Sequence, residues 1–276
     1  MSESYIHGFS REEQKRLSRM QDILNERHLE SIPLSGVNRF LDVGSGLGQM
    51  TRMIASNLHP GSCSVAVERS EEQRQQAVSL AASESQADLV DYRIGDATDL
   101  PLESVEWGSF DLVHTRFLLE HVSDPQAVVM QMCEAVRPGG KIFLMDDDHE
   151  LLRVWPECRE LESLWTTYWK SYQDIGCDPL VGRKLAELLK SAGAEILSTG
   201  SIHYGASKDE PLFDLVVDNL IGVIAGTADS LIAAGKIAKL EYENSLSAIG
   251  SWREIDSATV WYSLPFAIGV KPDLSS

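Results

Sequence analysis

The 276 residues lack several features that would settle a function class at once. The four cysteines, Cys63, Cys133, Cys158 and Cys177, are widely spaced and include no C-x-x-C pair. That excludes a disulfide framework and a cysteine-based zinc site, and it fits a reducing, cytoplasmic compartment. Basic charge is scarce: 24 Lys and Arg stand against 42 Asp and Glu, a formal net charge of -18. No run of Lys or Arg reverses that excess locally, so a phosphate backbone would be repelled and no nucleic-acid partner is expected. No clean apolar run is long enough to span a bilayer. The longest, Leu212 to Gly235, is interrupted by Asp214, Asp218 and Asp229, so no membrane span is expected. The opening MSESYIHGFSREEQKRL is polar, unlike a signal peptide, and no internal repeat or low-complexity stretch follows. With 43% hydrophobic residues, the chain still has material for a sizeable core.

What is present is an alternation of strand-like and helix-like segments. Ser10 and Glu13 form a capping box ahead of Leu17, Met20, Ile23 and Leu24 at helical spacing, predicting an N-terminal helical cap over residues 1–36. A first strand near Asn38 to Val43 leads into a helix through Met50, Met53, Ile54 and Leu58. SCSVAVE is a second strand, and Ser70 with Gln73 caps the next helix. VDYRIGD and FDLVHTR are the third and fourth strands. Asp124-Pro125 starts a helix that RPGG ends, and KIFLMDD is the fifth strand. This rhythm predicts parallel βαβ units in a doubly wound α/β sheet over residues 37–150. Beyond it, residues 151–276 read as two helical insertions, 151–176 and about 210–252, with EILSTGSIHYG and ATVWYSLPFAIGVK as sixth and seventh strands. The helical insertions suggest a lid on a core.

In an open parallel sheet, ligands bind beyond the carboxyl ends of the strands. LDVGSGLG occupies such a place, where glycines allow a tight turn and close backbone approach. The helix after it would offer N–H groups to an anion, whether phosphate or carboxylate. Glu68, 20 residues beyond Gly48, stands where a carboxylate can accept both ribose hydroxyls. Asp96, directly after the third strand, can accept from an exocyclic adenine amine, with the Ala97 N–H placed for a ring nitrogen. The dinucleotide pattern is G-x-G-x-x-G, whereas this chain has Gly44-x-Gly46-x-Gly48. Asp42, two residues ahead, would repel a pyrophosphate and can serve an ammonium group.

Together, LDVGSGLG, VAVERS, RIGDATDLP, FDLVHTRFLLEHVSDP and AVRPGGKIFLMD resemble the class I S-adenosylmethionine-dependent methyltransferases, and their small-molecule (quinone and natural-product) branch in particular. The resemblance covers about Arg39 to Asp146 and implies a Rossmann-like seven-stranded sheet, order 3-2-1-4-5-7-6, with the last strand antiparallel. It implies S-adenosyl-L-methionine as cofactor and S-adenosyl-L-homocysteine as product. By the same resemblance Asp42, Gly44, Ser45 and Gly46 would line the methionine end, Glu68 would hold the ribose, Arg69 would flank the adenine, and Asp96 and Ala97 would read its edge. Thr115 and Arg116 would lie beneath the sulfonium, and Tyr5 and Arg16 are candidates in an element that closes over the cofactor.

Methyl transfer is an in-line displacement, and the sulfonium is already a good leaving group, so positioning carries much of the acceleration. A base is needed only where the acceptor must lose a proton. Asp147 and His149, in the run Asp146-Asp147-Asp148-His149, and His121 are the candidates for that task; no metal is assigned. His114, inside the fourth strand, reads as buried structure. Trp165, Tyr168, Trp169 and Tyr172 share one helical face, either as core or as an aromatic acceptor wall. Trp165 and Trp169 are therefore substrate candidates, with His203 and Tyr204 at the end of the sixth strand. The resulting expectation is a methyltransferase for a small-molecule O, N or C nucleophile, with a homodimer left open. The competing readings are a catalytically silent cofactor-binding protein and an NAD-type oxidoreductase.

Overall fold

The computed structural model describes residues 24–273. The predicted cap residues Ser10, Glu13, Leu17, Met20 and Ile23, and the candidates Tyr5 and Arg16, lie outside that range. Helix α1 occupies residues 24–31. Then come β1 (Arg39–Val43), α2 (Gln49–Ser56), β2 (Cys63–Glu68), α3 (Glu71–Ser83), β3 (Asp91–Ile94), β4 (Phe110–Arg116), α4 (Pro125–Ala135) and β5 (Val136–Met145). The capping signals work as read: the Ser70 hydroxyl accepts from the Gln73 N–H, and the Asp124 carboxylate accepts from the Ala127 N–H with Pro125 following it. RPGG marks the end of the helix as expected: α4 stops at Ala135, and Arg137 to Gly140 already belong to β5. Gly139, at φ 70, supplies the turn signal inside that strand.

The later chain adds β6 (Arg153–Trp155), α5 (Arg159–Asp174), α6 (Leu185–Ser191), β7 (Glu195–Ser207), α7 (Leu212–Ala233), α8 (Lys239–Arg253) and β8 (Thr259–Val270). The sheet order is β3-β2-β1-β4-β5-β8-β6, with β7 pairing β8 off that path. β1 pairs in parallel with β2 and β4, and β5 pairs antiparallel with β8. This is the expected Rossmann-like arrangement: β7 and β8 are the expected sixth and seventh strands, and the final strand is the antiparallel one. The short β6 was not expected. It takes residues assigned to a helix, because Arg153 to Trp155 pair with Trp261 to Thr259.

The chain divides into two units. A sheet unit holds Arg27–Asp148, Leu180–Ile202 and Leu264 onward; a helical unit holds His149–Pro179 and His203–Ser263. In the sheet unit, β1, β2, β4 and β5 carry near-continuous apolar runs, the pattern of strands covered on both faces. Leu41, Val43, Val65, Val67, Val113, Ile142 and Leu144 form one buried face. Phe40, Asp42, His114, Phe143 and Met145 alternate with them onto the other face and are equally buried. In the helical unit, α7 is long and apolar enough to cross a membrane, at mean hydropathy 1.6, with 44% of that stretch buried. Its buried positions Phe213, Val216, Val217, Leu220, Ile224 and Leu231 recur at helical spacing, and Phe213 meets the Trp252 ring of α8 at 5.8 Å.

Candidate active site

The loop between β1 and α2 is held by the sheet. Gly44, Gly46 and Gly48 have φ of 77, 53 and 70, a region side chains rarely enter. At Gly44 the requirement is doubled, since a Cβ there would stand 3.0 Å from both methyls of Leu118. The N–H groups of Gly44 and Ser45 donate to the Val67 carbonyl at 2.9 and 3.1 Å, and Gly48 donates to the Ser45 carbonyl at 2.9 Å. Gly46 donates to Glu68 Oε2 at 2.9 Å, while Glu68 Oε1 accepts from the Ser70 N–H at 2.8 Å. Glu68 is thus both the acidic end of β2 and a brace for the turn.

That geometry revises the expectation of an anion cradle. Four of the turn's N–H groups are already engaged within the protein, and two carboxylates, Asp42 and Glu68, flank it. A pyrophosphate would find few donors and would meet negative charge. Asp42 is buried and points into the sheet unit, where Thr51 Oγ1 donates to its Oδ2 at 2.5 Å and His114 Nδ1 lies 2.7 Å from its Oδ1. Ser45 Oγ is shielded from solvent with no hydrogen-bond partner among the described residues, an orphaned polar atom at the centre of the turn.

Asp96 is exposed, and its Oδ1 accepts from Thr98 through both the N–H (2.8 Å) and the hydroxyl (2.7 Å). Those bonds, with the Arg69 guanidinium nearby, hold its carboxyl below the usual range. Ala97 packs against the core. Thr115 is buried, its hydroxyl donating to the Val43 carbonyl at 2.8 Å, so it braces the end of β1. Arg116 is buried too. Burial pulls its guanidinium down to about 10, against the opposing charge of Asp42.

Sequence reasoning missed the loop after β4. Phe117 sits at φ 55, a left-handed conformation for a bulky residue, and nothing in its neighbours' identities announces it. It turns Leu118 toward Gly44. Asp146, at the end of β5, fixes this loop by accepting from the N–H groups of Leu118 (3.0 Å), Leu119 (2.7 Å) and Glu120 (3.3 Å), and also from Asp147 (3.0 Å). Burial and the charges of Glu120 and Asp147 push the Asp146 carboxyl upward.

The acidic run is therefore divided among tasks. Asp148 forms a two-point pair with Arg183 at 2.6 and 2.7 Å. Glu120, missed by the sequence reading, is buried and shares a hydrogen bond with Asp147; burial pushes its carboxyl up to about 8. His121 is half-buried, its Nε2 3.5 Å from Glu120.

His149 belongs to the helical unit. It is buried, with the rings of Trp165, Tyr168 and Tyr172 at 5.2, 5.6 and 5.8 Å, and the Tyr262 hydroxyl lies 3.3 Å from its Nδ1. Trp165 Nε1 donates to the His149 carbonyl at 2.7 Å, and the Tyr168 and Tyr172 hydroxyls meet at 2.7 Å. Trp169 is buried as well. The aromatic stripe on α5 is thus the inner face of this unit. His203 and Tyr204 point to opposite faces of β7: Tyr204 is buried against the Tyr262 ring, and His203 is exposed with Nδ1 2.5 Å from Ser263 Oγ.

A parallel sheet of this order, a glycine turn at the first strand and acidic groups ending the next two define the class I S-adenosylmethionine-dependent methyltransferase fold. The chain belongs to the methyltransferase-domain family, whose model matches residues 10–199. It is 31% identical to the chloroplastic tocopherol O-methyltransferase of Arabidopsis thaliana over 121 residues, 44% of this chain and 33% of that protein. The 27-O-demethylrifamycin SV methyltransferase of Amycolatopsis mediterranei is 30% identical over 145 residues, 52% of this chain and 51% of that protein. The chain thus spans about a third of the first relative's length and half of the second's. Among solved structures, the (4+2)-cyclase SpnF aligns with TM-score 0.55 and 18% identity, covering 92% of this chain and 82% of SpnF.

Proposed function

We propose that this protein transfers a methyl group from S-adenosylmethionine to a small-molecule acceptor. The observation that carries the reading is the braced turn at residues 44–48: its N–H groups are largely engaged, carboxylates flank it, and the Ser45 hydroxyl is orphaned. That donor set suits a cationic, hydroxyl-bearing nucleoside better than a dinucleotide. Glu68 would hold the ribose hydroxyls, Asp96 and Ala97 the adenine edge, and Gly44 to Gly46 the methionine end. When bound there, the cofactor supplies a methyl carbon activated by a sulfonium leaving group. The chain's own contribution is to bind, orient and exclude water. Where the acceptor must lose a proton, Glu120 and His121 in the loop after β4, with Asp147 after β5, are the titratable groups at hand. Two relatives named as methyltransferases of tocopherol and of a rifamycin support a small organic acceptor.

A second reading is favoured by one observation: a protein of the same fold is named for cyclisation. A fold of this class can therefore host chemistry other than methyl transfer. A labelled-methyl transfer screen against phenolic, hydroxyl and amine metabolites separates the two. Label appearing in a product is expected. Tight cofactor binding with no transfer to any acceptor would favour that second reading, or a catalytically silent cofactor-binding protein.

A further inference from the structure

The sheet unit buries a polar chain that the cofactor contacts proposed above do not use. It begins at Thr51 in α2, passes through Asp42 in β1 and His114 in β4, and ends at His28 in α1; all four are at most 3% exposed. Thr51 Oγ1 donates to Asp42 Oδ2 at 2.5 Å, and His114 Nδ1 is 2.7 Å from Asp42 Oδ1. His114 Nε2 then meets His28 Nε2 at 2.8 Å, and His28 Nδ1 faces the Met145 sulfur at 3.1 Å.

Hydrogen-bond chemistry assigns the direction at Asp42. A carboxylate accepts, so His114 Nδ1–H donates to Asp42. Its Nε2 meets His28 Nε2 in a second hydrogen bond, whose donor follows from the tautomers of the two rings. The chain thus links His28, His114 and Asp42, with Thr51 closing it from the far side. Asp42 and Thr51 lie on either side of the glycine turn, so their bond ties the end of β1 to the first turn of α2. His114 sets the plane of that carboxylate from the next strand, in register with it.

We infer that His114 and His28 are positioning residues for cofactor binding: they orient Asp42, which fixes the two ends of the glycine turn. The inference rests on the proposed cofactor reading. It also predicts a pH response. The groups facing His28 are His114 and Arg116 of β4, with Asp42 of β1 beyond them; Met145 and Phe143 of β5 complete its surroundings. Burial first, then the Arg116 and His114 charges, hold the His28 ring well below its ordinary 6.5. The folded chain keeps it neutral while the unfolded segment protonates below 6.5. Folding stability therefore declines as pH falls below 6.5, while in the folded chain the ring stays neutral and the relay intact there.

The test uses S-adenosylhomocysteine titrated calorimetrically into the full chain. His114→Asn places an amide near Nδ1 and keeps the donor to Asp42. His114→Gln places it near Nε2, keeping the reach to His28 and leaving Asp42 Oδ1 without its donor. His114→Gln is expected to weaken binding about tenfold, and His114→Asn by no more than about twofold. Thr51→Val, nearly isosteric, tests the same strut from α2 and is expected to weaken binding about tenfold should His114→Gln not fold. Wild-type thermal stability should fall between pH 7.5 and 5.5 while the affinity of the folded chain holds, and His28→Gln should flatten that fall in stability. Equal losses in both His114 variants with equal loss of thermal stability would show mere packing and overturn the inference. Unchanged affinity in His114→Gln and Thr51→Val would overturn it too. A wild-type chain that fails to bind the probe at all would instead sink the cofactor reading on which the inference stands.

Discussion

In the sheet unit, several polar side chains hold backbone: the partly buried Glu68 takes the Gly46 N–H, buried Thr115 takes the Val43 carbonyl, and buried Asp146 gathers four N–H groups around residues 118–120 and 147. In the helical unit they hold one another: Tyr168 meets Tyr172, and Tyr262 meets His149 inside a shell of aromatic rings. The first arrangement fixes the loops that follow β1, β4 and β5. The second makes a polar-tipped aromatic core, in which hydroxyls and imidazole satisfy each other so that large rings can be buried. The sheet unit adds a third kind, the buried chain from Thr51 through Asp42 and His114 to His28, which links side chains across the two ends of the glycine turn.

Substitutions can break or sharpen that contrast. Trp165→Ala in the helical unit should cost about 3–5 kcal/mol of stability, as expected for a buried indole. Denaturant unfolding would read it, and the affinity of the folded fraction for S-adenosylhomocysteine should stay unchanged. Gly44→Ala should cost about 1–3 kcal/mol from its left-handed backbone and the Leu118 contact, and unlike Trp165→Ala it should also cut cofactor affinity more than tenfold. Glu68→Gln removes the negative charge and one of the two oxygens that accept from Gly46 and Ser70, so affinity should fall about tenfold, or about 1.4 kcal/mol.

Glu120 sharpens the comparison by pH. Its carboxyl is raised from 4.5 to about 8. Across that window the folded chain keeps a proton that the unfolded chain has released, so stability declines as pH rises and the contribution is gone above the upper value. Glu120→Gln, permanently neutral, should gain on the wild type at pH 8.5 relative to pH 6 by on the order of a few °C in Tm. The smallest effect should come from Arg253→Ala. This partly exposed residue pairs with Asp214 and Asp218 on α7 at 2.9 and 2.6 Å, and its loss should cost less than about 1 kcal/mol.

The sheet unit was largely legible because its signals are local. A capping Ser70, an Asp124-Pro125 start and three glycines each determine backbone within a few residues of themselves. The strand order came from the family resemblance and not from the rhythm, and the structure has it. The bracing was not legible. That Glu68 would reach back to Gly46, or that His114 would meet His28 across 86 residues, depends on register and packing that no local pattern encodes. Phe117 at positive φ runs against its own propensity, so only the tertiary setting specifies it. The helical unit was legible as helices and not as a unit, since His149–Pro179 and His203–Ser263 are separated by a segment of the sheet unit. For the same reason the Asp146 to His149 run read as one acidic cluster, while its members take up four different sets of partners.

The most direct test of the central claim is a side-by-side calorimetric titration of S-adenosylhomocysteine and NAD into the wild-type chain and Glu68→Gln. Saturable binding of the sulfur cofactor to the wild type, about tenfold weaker in the variant, with no heat from NAD, is the predicted result. NAD binding without S-adenosylhomocysteine binding, or a Glu68→Gln affinity equal to wild type, would contradict it.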